Sequence, residues 1–237
     1  MPLYNMKKYF QAPWTIKDLL IILFSIIFFA LAAYFLLGST GVSLGFLIQW
    51  LIILGPLLGF TYWKHKLRHE DFGITKVGIW ITIKEIIKAY LLFLGLSFLI
   101  GILVLYYDLK IPGYQIQESI LPLFGESNLD MIIAGIIIIL AAPIFEEIFF
   151  RGFLLRTLSD KLGIFLGSIL SAALFAIAHF PWQSVIPIFI LGVIINSIVL
   201  KTKSIIPAIA FHIFNNAIVF TLQLLIMKDV ISIENLA

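Results

Sequence analysis

No cysteine occurs in this chain of 237 residues, which removes disulfides, thiolate-ligated zinc, iron–sulfur clusters and a thiol nucleophile from consideration. Charge is nearly as scarce: Asp, Glu, Lys and Arg supply 12% of the residues, against 62% that are hydrophobic. Soluble domains carry about twice that charged share, so the polar surface of a globule in water is missing. A mean hydropathy of +1.10 fits an integral membrane protein instead. Low-complexity linkers and internal repeats are also absent, which predicts a single membrane domain over residues 1–237.

What is there is a series of apolar runs, each near the 20 residues that cross roughly 30 Å of hydrocarbon. The expected fold class is an all-α polytopic membrane protein of about seven transmembrane helices, at 19–37, 44–63, 89–107, 131–150, 164–180, 185–200 and 205–227. The first run is long enough to span and lacks a small-residue cleavage site, so it is expected to stay as an anchor. Of the 16 basic residues, fourteen fall before the first run or after the second, fourth and sixth. Short loops rich in Lys and Arg stay cytoplasmic, which predicts a cytoplasmic N-terminus and an outward-facing loop from Asp108 to Asp130. The net charge of +3 reflects that bias and makes no case for nucleic acid. Segment 64–88 reads as a membrane-surface connector anchored by Trp80.

Two adjacent carboxylates, Glu146 and Glu147, lie in the most hydrophobic stretch. An ionised side chain near the bilayer centre costs about 3 kcal/mol on insertion scales, so these acids need a reason. Glu147 and Arg151 are one helical turn apart, acid before base, the favourable order for an ion pair. Glu146 points about 100° away from Glu147, which allows the two a different role each. A solvated helix end beyond the membrane edge is the plain alternative. Phe175 and His179 follow on the fifth run, and His212 and Asn216, again one turn apart, on the seventh. Each of these taken singly reads as well as an interhelical hydrogen-bonding group. Together, groups with insertion penalties on three helices are best accommodated around one polar cavity. A carboxylate base, imidazoles and a neutral amide are what water-driven carbonyl cleavage requires.

Depth sets a condition. His212 is about 12 Å from Ser204 and His179 about 24 Å from Gly163 along their helices, so the two meet only if the fourth and fifth helices project beyond the bilayer on the basic side. Pro181 then turns the chain inside the membrane, and the Phe180-Pro181-Trp182 turn is expected to line the site. Gly163, Gly167, Ser171 and Ala172 make the fifth helix narrow enough for close approach.

The ordered set Glu146-Glu147-xxx-Arg151, Phe175-xxx-His179 and His212-xxx-Asn216 resembles the CPBP, or Abi, family of intramembrane proteases, which includes type II CAAX prenyl endopeptidases and bacteriocin-processing or self-immunity proteins. The resemblance covers roughly 131–220 and marks 131–227 as the catalytic core. It implies a glutamate-dependent endopeptidase acting on the cytoplasmic side with no metal, no cofactor and no covalent intermediate. On this resemblance Glu146 is the general base, and His179 helps to hold the water. His212 and Asn216 donate to the oxyanion, and Glu147, Arg151 and Phe175 support the site. Expected partners are the lipid bilayer and a hydrophobic peptide or membrane-protein substrate, prenylated or not. Three other readings stay open: a zinc protease ligated by Glu146, His179 and His212, a non-catalytic immunity or scaffolding protein, and a proton-coupled transporter. The transporter lacks the internal duplication common in that class.

Overall fold

The computed structural model describes residues 9–37, 42–66, 68–114, 119–179 and 184–231, and among these all regular structure is helical. Seven helices follow in order: α1 Ile16–Leu37, α2 Val42–His65, α3 Ile79–Tyr106, α4 Asn128–Leu162, α5 Ile164–Ala178, α6 Val185–Thr202 and α7 Ile206–Met227. Six are long and apolar enough to cross a membrane, and the protein is an integral multi-pass membrane protein. The expectation of seven spans is corrected at the fifth. The α5 helix has 15 residues, about 22 Å, short of the hydrocarbon thickness. The fourth is longer than expected, 35 residues instead of 20. The Phe180-Pro181-Trp182 turn lies outside the described residues.

Large apolar side chains face outward, as lipid-facing surfaces require: Phe35 on α1, Leu91 and Phe98 on α3 and Phe165 on α5 are all well exposed. The interior is narrow and aromatic, with Trp14, Phe72, Phe153 and Phe175 meeting in one cluster. Close helix approach comes from small residues, as the sequence predicts. A Cβ on Gly167 would stand 2.5 Å from the Ser159 backbone nitrogen, so the α4–α5 hairpin closes only around hydrogen. Gly163, at φ +85°, makes the reversal between them. Ala172 and Gly192 bring α5 against α6 in the same way.

The two ends of the bundle have different chemistry. At one end Asp18 pairs with Lys64 and His65 across the α1–α2 hairpin. There the connector after α2 also docks beneath the α6–α7 turn: Ile205 N donates to Gly73 O, Thr75 Oγ1 to Lys203 O and Ser204 Oγ to Thr75 O. Trp14 Nε1 donates to Thr157 Oγ1 at the same end. The connector is therefore packed structure as well as a membrane-surface link, with Phe72 buried against Gly152 while Trp80 stands exposed. At the opposite end Ile186 N donates to Gly113 O, Ser119 Oγ to Gln223 Oε1, and the rings of Phe46 and Phe124 stack at 5.7 Å. This places the basic loops together at one end and the 108–130 loop at the other, the alternation the charge pattern predicts.

α4 is irregular where it matters. Two π-helical stretches, Ile136–Ala141 and Ile148–Leu155, flank a short α segment, Ala142–Glu147, that carries both glutamates. Pro143 explains the first. It has no N–H to give, and its ring crowds the carbonyl one turn back, so the wider turn relieves the clash. Within that turn Ala142 N donates to Ile137 O. The next bond in this register would need an N–H on Pro143, so the Ile138 carbonyl is left for another donor.

Candidate active site

Residues on α4, α5 and α7, the three helices singled out in the sequence, come together in two layers with residues of α6, which was not. The deeper layer is closed off from the surface. Glu147 and Arg151 are fully buried, with Arg151 Nη1 donating to Glu147 Oε1 at 2.8 Å. Arg151 Nε also donates to Asn196 Oδ1 at 3.1 Å, and Nη2 lies 3.4 Å from the Gly192 carbonyl. Asn196 is itself anchored through Nδ2 to Ser168 O at 2.9 Å. The guanidinium covers the ring of Phe175, 4.2 Å from its centroid, a cation–π contact. One buried cation thus ties α4, α5 and α6 together, and its charge is matched by Glu147.

The upper layer faces a cavity of about 430 Å³. His212 Nδ1 lies 2.8 Å from Glu147 Oε1 and His179 Nδ1 lies 2.8 Å from Phe175 O. A carboxylate and a carbonyl can only accept, so both Nδ1 atoms carry protons and both Nε2 atoms are free for chemistry. Those Nε2 atoms meet at Glu146 Oε2, at 3.3 Å for His179 and 3.8 Å for His212. Glu146 keeps 22% of its side chain accessible, whereas Glu147 has none. Adjacent acids on one helix have thus been given opposite environments. The Ile205 end of α7 lies beside Gly73, which also meets the Arg156 side chain, and α4 runs on from Arg156 to Leu162.

Asn216 lines the cavity but its amide also has a backbone partner: Nδ2 donates to Ile138 O at 3.0 Å. This is the carbonyl stranded by Pro143, so Asn216 completes the π turn and retains one N–H for a ligand. Asn215, beside it, is buried and also lines the cavity. The remaining wall is aromatic and aliphatic, with Trp50, Phe145 and Phe220 prominent.

Asn196, Ser168 and Gly192 were missed by sequence reasoning, as were Asn215 and Gln49. A signal existed for Asn196: an amide in the middle of an apolar span carries an insertion penalty of the kind that singled out the histidines. Among the described residues no group of three His, Cys, Asp or Glu side chains is arranged to hold a metal ion.

The ordered glutamates, histidines and asparagine now have a geometry to compare. Residues 128–218 match the family model of type II CAAX prenyl endopeptidase Rce1-like proteins. This Rce1-like segment carries the CPBP-family signature and spans α4, α5, α6 and the first half of α7, so it contains every residue of both layers. The match likens this part of the chain to a family of peptide-bond hydrolases. No curated protein and no solved structure matches the chain.

Proposed function

We propose that this protein is an intramembrane endopeptidase that hydrolyses hydrophobic or membrane-associated peptides with water activated by Glu146. The observation that carries the reading is the convergence of Glu146 Oε2 with the Nε2 atoms of His179 and His212 at the inner end of an apolar cavity. Glu146 Oε2 is buried against the two imidazoles, and the accessible part of the side chain faces the cavity, where a water can be held. Glu146 removes a proton from this water as its oxygen attacks the scissile carbonyl, and His179 Nε2 helps to hold it. The carbonyl π electrons become the oxyanion, which the second N–H of Asn216 and a protonated His212 Nε2 stabilise. Glu146 then returns its proton to the leaving amine as the C–N bond breaks. Because Nδ1 of His212 is committed to Glu147, His212 donates from Nε2 only when that atom also carries a proton. Glu147 and Arg151 are positioning residues in this scheme.

The proposed setting is a bacterial cell membrane, with the N-terminus cytoplasmic, the catalytic core at 131–227 and the glutamates in the half of the bundle nearest the basic loops. The test is cleavage of a pooled library of hydrophobic and prenylated peptides by the purified protein, with Glu146→Gln and chelator arms. Cleavage lost in the variant and kept under chelation supports the glutamate mechanism. Cleavage lost on chelation and restored by zinc would instead make Glu146, His179 and His212 ligands.

A further inference from the structure

The cavity has a direction. Its inner end is set by Glu146, His179 and His212, and its walls continue through Trp50 and Val219 to Phe46, Ile120 and Gln223. The last three belong to the end of the bundle fastened by the Ser119–Gln223 bond and the Phe46–Phe124 stack. No residue of the basic end lines it among those described. On that side the carboxylates rest on a closed floor. Arg151, Asn196, Phe153, Phe175 and Ile195 have no exposed surface, and Trp14 fills the space beneath Phe153. Water or a peptide coming from the basic loops would have to displace the Glu147–Arg151–Asn196 network, whose disruption leaves a buried charge unpaired.

We infer that the cavity takes its substrate from the end opposite the basic loops, so that a hydrophobic peptide segment on the outer side of the membrane reaches Glu146 from outside. This rests on the protease reading for the identity of the occupant, and on the charge bias for the side. This entry departs from the cytoplasmic-side action that the family resemblance implies: Glu146 sits midway along α4 and His179 at the end of α5 away from the basic Gly163 turn. Gln49 and Gln223 put two amides along an otherwise apolar entry, which suits a peptide whose backbone needs hydrogen bonds while its side chains stay in an apolar wall.

The chain has no cysteine, so single cysteines can be introduced without a background. Val219→Cys, Gln223→Cys and Gln49→Cys probe the cavity wall, Glu126→Cys the outer loop and Lys161→Cys the basic turn; none of these belongs to the catalytic machinery. Intact cells are treated with a charged, membrane-impermeant thiol reagent before and after permeabilisation. The expected result is labelling of Glu126→Cys and at least two of the three wall positions in intact cells, at rates at least 10-fold above that of Lys161→Cys. Labelling of the wall positions only after permeabilisation, or of Lys161→Cys from outside, overturns the inference. Labelling requires no turnover, so the two readings separate. Glu146-dependent cleavage in detergent with inward-only labelling leaves the protease and removes the outer entry. Outward labelling without any Glu146-dependent cleavage leaves the entry and removes the protease.

Discussion

Replacing each of the two adjacent glutamates by glutamine should separate chemistry from architecture. Glu147 has no exposed surface and sits 2.8 Å from an equally buried Arg151. In Glu147→Gln the guanidinium keeps Asn196 Oδ1 and the Gly192 carbonyl but loses its counter-charge. Breaking a buried pair by removing one partner costs about 3–5 kcal/mol, which for a chain of this size lowers the melting temperature by roughly 6–20 °C. Glu146 faces the cavity with 22% of its side chain accessible and no paired cation of its own beyond the two imidazoles. Glu146→Gln removes the base while keeping the volume, so the melting temperature in detergent should stay within about 2 °C of wild type while peptide cleavage falls to background. The double variant Glu147→Gln/Arg151→Met removes both buried charges and should recover much of the lost stability. Activity should not return, because His212 Nδ1 has lost its carboxylate. Thermal unfolding and cleavage measured on the same preparations decide the matter. Equal destabilisation by both single variants, or no recovery in the double variant, would refute the division of labour between the two acids.

Four further outcomes follow from particular contacts. Asn216→Ala should lower cleavage by about 100-fold to 1,000-fold and also cost about 1–3 kcal/mol by leaving the Ile138 carbonyl unpaired. Adding Pro143→Ala supplies an N–H at position 143 and should restore the stability of that variant without its activity, as read by melting temperature and cleavage together. Asn196→Leu removes the acceptor of Arg151 Nε, and unfolding should report a loss of about 1.5–3 kcal/mol although Asn196 touches no substrate. Gly167→Val drives a side chain into the Ser159 backbone, and the folded fraction by size-exclusion chromatography in detergent should fall sharply against wild type. Exhaustive chelation of the wild-type protein should leave cleavage unchanged, and loss of activity restored by zinc would overturn the metal-free mechanism.

Most of the architecture was legible because lipid imposes a simple rule: every backbone polar group must be paired within its own segment, so long apolar runs become helices and basic loops mark one side. The exceptions have local causes. α5 ends early, at 15 residues, and α4 runs on to 35, because helices fastened by protein contacts need not match the hydrocarbon thickness. Hydropathy windows assume that they do. The acid–base order at Glu147 and Arg151 predicted their pairing, since i, i+4 spacing fixes proximity within one helix whatever surrounds it.

Sequence alone therefore determined the class of the protein, the alternation of its helices, and which polar residues had to meet, since each carries a cost in hydrocarbon that only convergence relieves. Tertiary structure decided what each residue faces. It made Glu147 the buried counter-ion and Glu146 the accessible carboxylate, recruited Asn196 from a helix with no motif, and gave Asn216 to the carbonyl that Pro143 strands. It also closed the cavity toward the basic loops. Those outcomes depend on distances between helices far apart in the chain, and one-dimensional spacing carries no information about them.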